Sequence, residues 1–254
     1  SVSRPPPLAL TLGDPAGIGP EIVVKAWEAL RKTGPAFLLV GDPAAIDGAP
    51  IAIVNEGDMA DDVFAECLPV LADAPPADET PASAVVRWIV RAVDLALAGA
   101  VSGVVTAPIS KARLYAEHFP FPGHTEFIAD LTRDSSMPGA RGPVMMLTAK
   151  DLRVALVTIH MPLAEVSRAV TVDRIVRTAR VTHEALKRDF GIGRPRLALA
   201  GLNPHAGEVG AIGREEIEVL APAVAELRAA GIDISDPRPA DTLFHDEARK
   251  RYDA

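Results

Sequence analysis

The chain has one cysteine, Cys67, among its 254 residues. That excludes an internal disulfide and any cysteine-rich metal site, and it suits a reducing compartment. It also lacks an apolar run of membrane-spanning length, since Arg91 and Asp94 interrupt the best candidate. Residues 1–7 contain no apolar core of the kind a signal peptide needs, so the expected location is the cytoplasm. Positive charge is short as well: a formal net charge of −8 argues against nonspecific contact with nucleic acid or anionic membranes, leaving small ligands. A local basic pocket can still hold a phosphate. There is no low-complexity tract, and 48% hydrophobic and 24% charged residues are the proportions of an ordinary globular protein. The length suffices for two modest domains.

What is present is an alternation of strand and helix. Residues 8–12 read as a strand and 13–21 (GDPAGIGPE) as a glycine-rich turn. Residues 22–30 read as a helix with Pro20 at its start. Such a helix start can hold an anion, although the turn has neither the Gly-Lys-Ser/Thr ending of a P-loop nor the dinucleotide-binding spacing. Short strands follow at 37–40 and 51–54, then a loose segment at 73–79. Thr80-Pro81 opens a helix to about Leu97, with Val85, Ile89, Val93 and Leu97 on one face. Trp88 is assigned to packing. A strand at 101–106 ends in Ala107-Pro108-Ile109-Ser110-Lys111, and further on Thr125 is expected to cap a helix, which leaves His124 at its N-terminus. Lys111 and His124 together would suit a phosphate or carboxylate.

Residues 144–148 and 153–158 flank Lys150-Asp151 as a β-hairpin that interrupts the parallel pattern and offers an edge or dimer contact. An amphipathic helix spans 173–190, with Ile175, Ala179, Thr182, Leu186 and Phe190 on its inner side. The segment richest in chemistry is 197–216, LALAGLNPHAGEVGAIGREE. Its first four residues read as a strand covered on both faces, and helical spacing resumes from Arg214. Asn203, His205 and Glu208 would stand at the strand's carboxyl end among glycines, where open α/β sheets bind ligands. His160 ends the preceding strand in the same manner, so two imidazoles can converge on one cleft, or each can simply brace its own loop. His118 and His245 lie in polar surroundings with no partner pattern, and His183 reads as surface or packing.

Six segments in order resemble one family, the 4-hydroxythreonine-4-phosphate dehydrogenases of vitamin B6 biosynthesis (the PdxA family). They are LTLGDPAGIGPE (10–21), VVTAPISK (104–111), FPGHTEFIA (121–129), TIHMPL (158–163), GLNPHAGEVGAIGREE (201–216) and PADTLF (239–244). The resemblance implies two α/β/α domains, drawn at 1–120 and 121–254, with a cleft between them. The fold it implies is related to the isocitrate/isopropylmalate dehydrogenase type, in a homodimer whose active site lies at the subunit interface. It further implies NAD-dependent oxidation and decarboxylation of 4-phosphooxy-L-threonine, a small phosphorylated substrate, with a divalent metal such as zinc, magnesium or cobalt. His124 and Thr125 match the family's substrate contacts, and His160 and His205 match two of its three metal-binding histidines. The family pattern continues beyond Ala254 with a Tyr-His-Asp-Gln segment carrying the third histidine, then a lysine, an asparagine and an arginine. A chain that ends at Ala254 is therefore expected to hold metal weakly. Lys111 and Asp241 are the candidates for proton transfer by residue type and location, although either can equally hold the substrate. The competing expectations are a sibling dehydrogenase of threonate or erythronate 4-phosphate, and a metal- or phosphate-binding fragment without catalysis.

Overall fold

The computed structural model describes residues 5–55 and 60–254. It separates into two compact units, Ser1–Ser135 and Ser136–Ala254. In the first unit, β1 (Leu8–Thr11), α1 (Gly19–Leu30), β2 (Phe37–Gly41), β3 (Ile51–Ile53), α2 (Ala60–Phe64), β4 (Leu68–Ala72), α3 (Pro81–Leu97) and β5 (Gly103–Thr106) are followed by α4 (Lys111–Ala116) and α5 (His124–Leu131). The five strands form one parallel sheet in the order β3-β4-β2-β1-β5. Helices flank this sheet, which makes the unit α/β. β2 is buried along its whole length, as strands covered on both faces are.

Helix α3 shows how local chemistry sets an element. The Thr80 hydroxyl accepts from the Ser83 backbone N–H at 3.1 Å, and Pro81 occupies the first turn, where its missing N–H costs nothing. Val85, Ile89 and Val93 are buried as the spacing predicts, whereas Leu97 is 50% exposed because it lies in the last turn, beyond the sheet contact. Replacing Thr80 by alanine is expected to lower stability by about 1 kcal/mol in a denaturant titration, with an unchanged dependence on denaturant. β4 is not among the strands expected, and it carries Pro69, a residue unusual in a central strand. Pro69 is tolerated because Leu68 and Val70 make the bonds to β3, and on its own side the ladder to β2 begins only at Val70.

The second unit contains β6 (Met146–Ala149) and β7 (Leu152–Ala155), then α6 (Leu163–Ala169), α7 (Val172–Arg188) and β8 (Arg196–Leu197). After these come α8 (Ala221–Ala229), β9 (Asp233–Ile234), α9 (Ala240–Leu243) and α10 (Asp246–Arg249). The expected hairpin is present as the antiparallel pair β6–β7. The strand expected to run to Thr158 stops at Ala155, and the pairing closes with Leu156 N–H donating to Met145 O at 2.9 Å. Two residues before Met145 is Pro143, which has no N–H to extend the ladder. His160 therefore lies on a turn before α6 and not at a strand end. The strand expected at 197–200 is likewise cut short. Leu199 N–H turns to the Ser235 hydroxyl at 3.1 Å, Pro237 cannot donate, and 198–200 are only half-buried. Pairing survives as a single bridge from Ala200 to Arg238. In α7, Ile175, Val176, Thr182 and Leu186 are buried. Phe190, expected on that inner side, lies past the helix end, 44% exposed beneath the Arg153 guanidinium. Among the described residues, no helix is long and apolar enough to cross a membrane.

Candidate functional site

In the first unit, the chain leaves β1 toward β2 on one side, while β5 is laid down on the other. The loops after β1 and β5 diverge there, and open α/β sheets bind ligands at such a switch point. The two loops are stitched together. Asp14 N–H donates to Pro108 O at 3.1 Å, and Arg113 Nη1 donates to Asp14 Oδ1 at 2.9 Å. Gly13 has φ +72°, and a Cβ there would stand 2.5 Å from Pro108 O, so a side chain would force the loops apart. Neither Asp14 nor Arg113 was singled out from sequence; a carboxylate in a glycine-rich turn usually reads as turn chemistry.

Lys111 begins α4 and is exposed. His124 begins α5, half-buried. The two side chains interact: burial first, and then the Lys111 charge, hold the His124 imidazole below its ordinary pKa. His124 Nε2 is buried without a hydrogen-bond partner, a polar atom in want of one. The segment is anchored by packing among Phe119, Phe121 and Phe127, with centroids 5.1 to 5.5 Å apart, and by Tyr115 Oη donating to Pro122 O at 3.1 Å. Gly123, not Thr125, is the N-cap. Its extended backbone starts the helix two residues early, so Thr125 lies in the first turn beside His124. Gly123 lies beside both Glu126 Oε2 and Lys111 Nζ, which a Cβ there would approach at 3.5 and 3.9 Å, ordinary contact distances.

In the second unit, His205 opens a left-handed turn. Its φ is 52°, followed by Ala206 at 53°, Gly207 at 77°, Glu208 at 44° and Val209 at 59°. Left-handed backbone costs an L-residue roughly 1–2 kcal/mol, and four of these five residues are not glycine. Such a turn persists only when its surroundings over-determine it. The restraint is Glu216, 6% exposed. Its Oε1 accepts from Asn203 N–H at 2.7 Å and its Oε2 from Asn203 Nδ2 at 2.9 Å, while Glu215 Oε2 accepts from the same Nδ2 at 2.7 Å. Burial pushes the Glu216 carboxyl pKa up, and the Asn203 side-chain and backbone bonds more than offset it, leaving it below its ordinary value. Glu216 opens a π-helical turn, Glu216–Leu220, that runs into α8. Sequence reasoning missed it, yet a signal was there: 216, 220, 223, 224 and 227 fall on one helical stripe, and all five are buried.

Helix α9, which carries the exposed Asp241, packs against the turn of His205. His160, also exposed, stands at φ 52° in its own turn. Two imidazoles with the carboxylates of Glu208 and Asp241 are chemically suited to a borderline divalent cation. Among the described residues no three His, Cys, Asp or Glu side chains are gathered as a metal cluster. His124, Lys111 and Thr125 thus stand together in one unit, and His205 and Asp241 on adjoining elements of the other.

The family model for pyridoxal phosphate biosynthetic protein PdxA matches residues 37–254. The chain is 55% identical to the 4-hydroxythreonine-4-phosphate dehydrogenase of Caulobacter vibrioides, with 97% of this chain and 78% of that protein covered. It is 48% identical to the enzyme of the same name from Maricaulis maris, over 98% of this chain and 78% of the other. Among solved structures, the Klebsiella pneumoniae 4-hydroxythreonine-4-phosphate dehydrogenase superposes with a TM-score of 0.79 at 34% identity, covering 98% of this chain and 79% of that one.

Proposed function

Since the chain belongs to the family of pyridoxal phosphate biosynthetic protein PdxA, we propose that it acts as a 4-hydroxythreonine-4-phosphate dehydrogenase. In this reading it is an oxidoreductase that oxidises the secondary alcohol of 4-phosphooxy-L-threonine with NAD, after which the β-keto acid loses carbon dioxide. The observation that carries the reading is 55% and 48% identity to two enzymes of that name over nearly the whole of this chain. When bound, NAD supplies the hydride acceptor and a divalent cation supplies Lewis acidity toward the negative charge that develops on oxygen in both steps.

The chain's own residues do the rest. His124 offers its unpartnered Nε2, and Thr125 its hydroxyl, to the phosphorylated substrate at the start of α5, where free amides and the helix dipole favour an anion. Lys111, beside His124, adds a positive charge and is the candidate to move a proton at the reacting oxygen. Asp241 is the corresponding candidate in the second unit. His160 and His205 are the residues we assign to hold the cation. The proposed setting is the cytoplasm, and the proposed assembly is a homodimer.

The expected result is metal-dependent appearance of NADH absorbance when the purified protein is given NAD and 4-phosphooxy-L-threonine. We expect kcat/KM at least about tenfold above that for threonate or erythronate 4-phosphate, because these carry a neutral hydroxyl where the substrate carries its ammonium group, and a site matched to the charged donor loses that charge-assisted bond. A preference for either sugar acid would replace this reading with the sibling one.

A further inference from the structure

We infer that Glu216 is a positioning residue for His205: its buried carboxylate, clasping Asn203, fixes the left-handed turn that presents the imidazole. The inference rests on the reading of His205 as a metal ligand. It is carried by an arrangement that no ligand role for His205 alone requires.

The clasp grips both sides of the turn. Asn203, immediately before the turn, is bonded to Glu216 through its backbone and its side chain, at 2.7 and 2.9 Å. Gly207, in the middle of the turn, lies so close that a Cβ on it would stand 2.7 Å from Glu216 Oε2. Gly213, after the turn, is pressed on the Asn203 side chain, where a Cβ would meet Nδ2 at 2.5 Å. Ala211 N–H donating to Glu208 O at 3.2 Å and Ile212 N–H donating to Gly207 O at 3.0 Å close the loop. The backbone is thus wrapped around one carboxylate, while His205 and Glu208 stay exposed on its outer side. A carboxylate used only to satisfy its own helix start would not need Asn203 and Gly207 fitted against it, with Gly213 closing on Asn203 behind them. Groups that orient a ligating histidine without touching the metal commonly govern metal affinity by one to two orders of magnitude.

The test uses chelator-stripped protein titrated calorimetrically with Zn²⁺, with melting followed in parallel. Glu216→Gln puts an amide donor where the carboxylate accepted from the Asn203 amide. It is expected to weaken Zn²⁺ binding by about 10- to 100-fold. His205→Ala should weaken binding at least as much, and Glu216→Gln with His205→Ala should bind no more weakly than His205→Ala alone. Asn203→Ala, which removes the side-chain arm of the clasp and leaves Glu216 in place, should fall between wild type and Glu216→Gln, and it serves if the Gln variant does not fold. A folded Glu216→Gln or Asn203→Ala variant that binds Zn²⁺ like the wild type, while His205→Ala does not, would overturn the inference. Unchanged binding by His205→Ala would instead overturn the metal assignment itself.

Discussion

His124→Ala is expected to weaken binding of the phosphorylated substrate by about 10- to 100-fold, the loss that follows when one hydrogen bond to a charged group, about 1.5–3 kcal/mol, is removed. The basis is geometric. Nε2 is buried with no protein partner, at the N-terminus of a helix and beside Lys111. A phosphate oxygen would satisfy that atom and be drawn by the lysine at once. Calorimetric titration with 4-phosphooxy-L-threonine checks it, and an affinity indistinguishable from wild type would remove His124 from the substrate site. The same residue has a pH signature. Burial and the Lys111 charge depress its folded pKa below the unfolded value of about 6.5, so the unfolded chain takes up the proton first. Its contribution to stability is therefore complete above about pH 6.5 and fades as pH falls through the depressed folded value. The alanine variant should lack this part of the acid-side loss, which urea titrations at pH 7 and pH 5 will show.

Trp88→Ala should produce the largest loss of stability, about 3–5 kcal/mol. Trp88 is fully buried in the core beneath the parallel sheet, and its Nε1 donates to Asp73 O at 2.9 Å. Truncation leaves a large cavity and an unanswered carbonyl together. Against a typical total of about 5–15 kcal/mol, that is enough to leave the first unit partly unfolded at 37 °C. Trp88→Phe keeps most of the volume and gives up the hydrogen bond, so it should cost about 1–3 kcal/mol. Equilibrium urea unfolding separates the two. A loss below about 1 kcal/mol for the alanine variant would mean that the site collapses around the gap, contrary to the packing described.

How far these features were legible in sequence depended on whether the deciding contact was local. Thr80-Pro81 marked the start of α3 because capping involves only the next three residues. The 3.6-residue recurrence of Ile175, Thr182 and Leu186 gave the buried face of α7. Lys111 and His124 were legible as strand-end and helix-start residues, and they do meet. The failures had distant causes. The strand at 197–200 was broken by Ser235 and Pro237, some 35 residues away along the chain, which no window around Leu199 contains. Glycines at 207, 210 and 213 announced a turn, but left-handed His205, Ala206, Glu208 and Val209 carry no such mark, since their conformation is imposed by Glu216. The chemistry itself came from the six ordered segments and not from periodicity, which speaks to packing and is silent on substrates.

The strand order of the first unit also dictates when its crevice can exist. β1 pairs with β2 after a single helical crossover, Leu8 lying beside Phe37, so that half of the sheet can assemble early in synthesis. Its other neighbour, β5, enters at Gly103, after α3 has been made. Until then β1 presents a bare edge, and the loop of Gly13 and Asp14 has no Pro108 or Arg113 to fasten to. Closing so long a loop is slow relative to local pairing. The crevice accordingly cannot close until the chain has been made through Arg113, and β1 must survive that interval as an open template for stray strands.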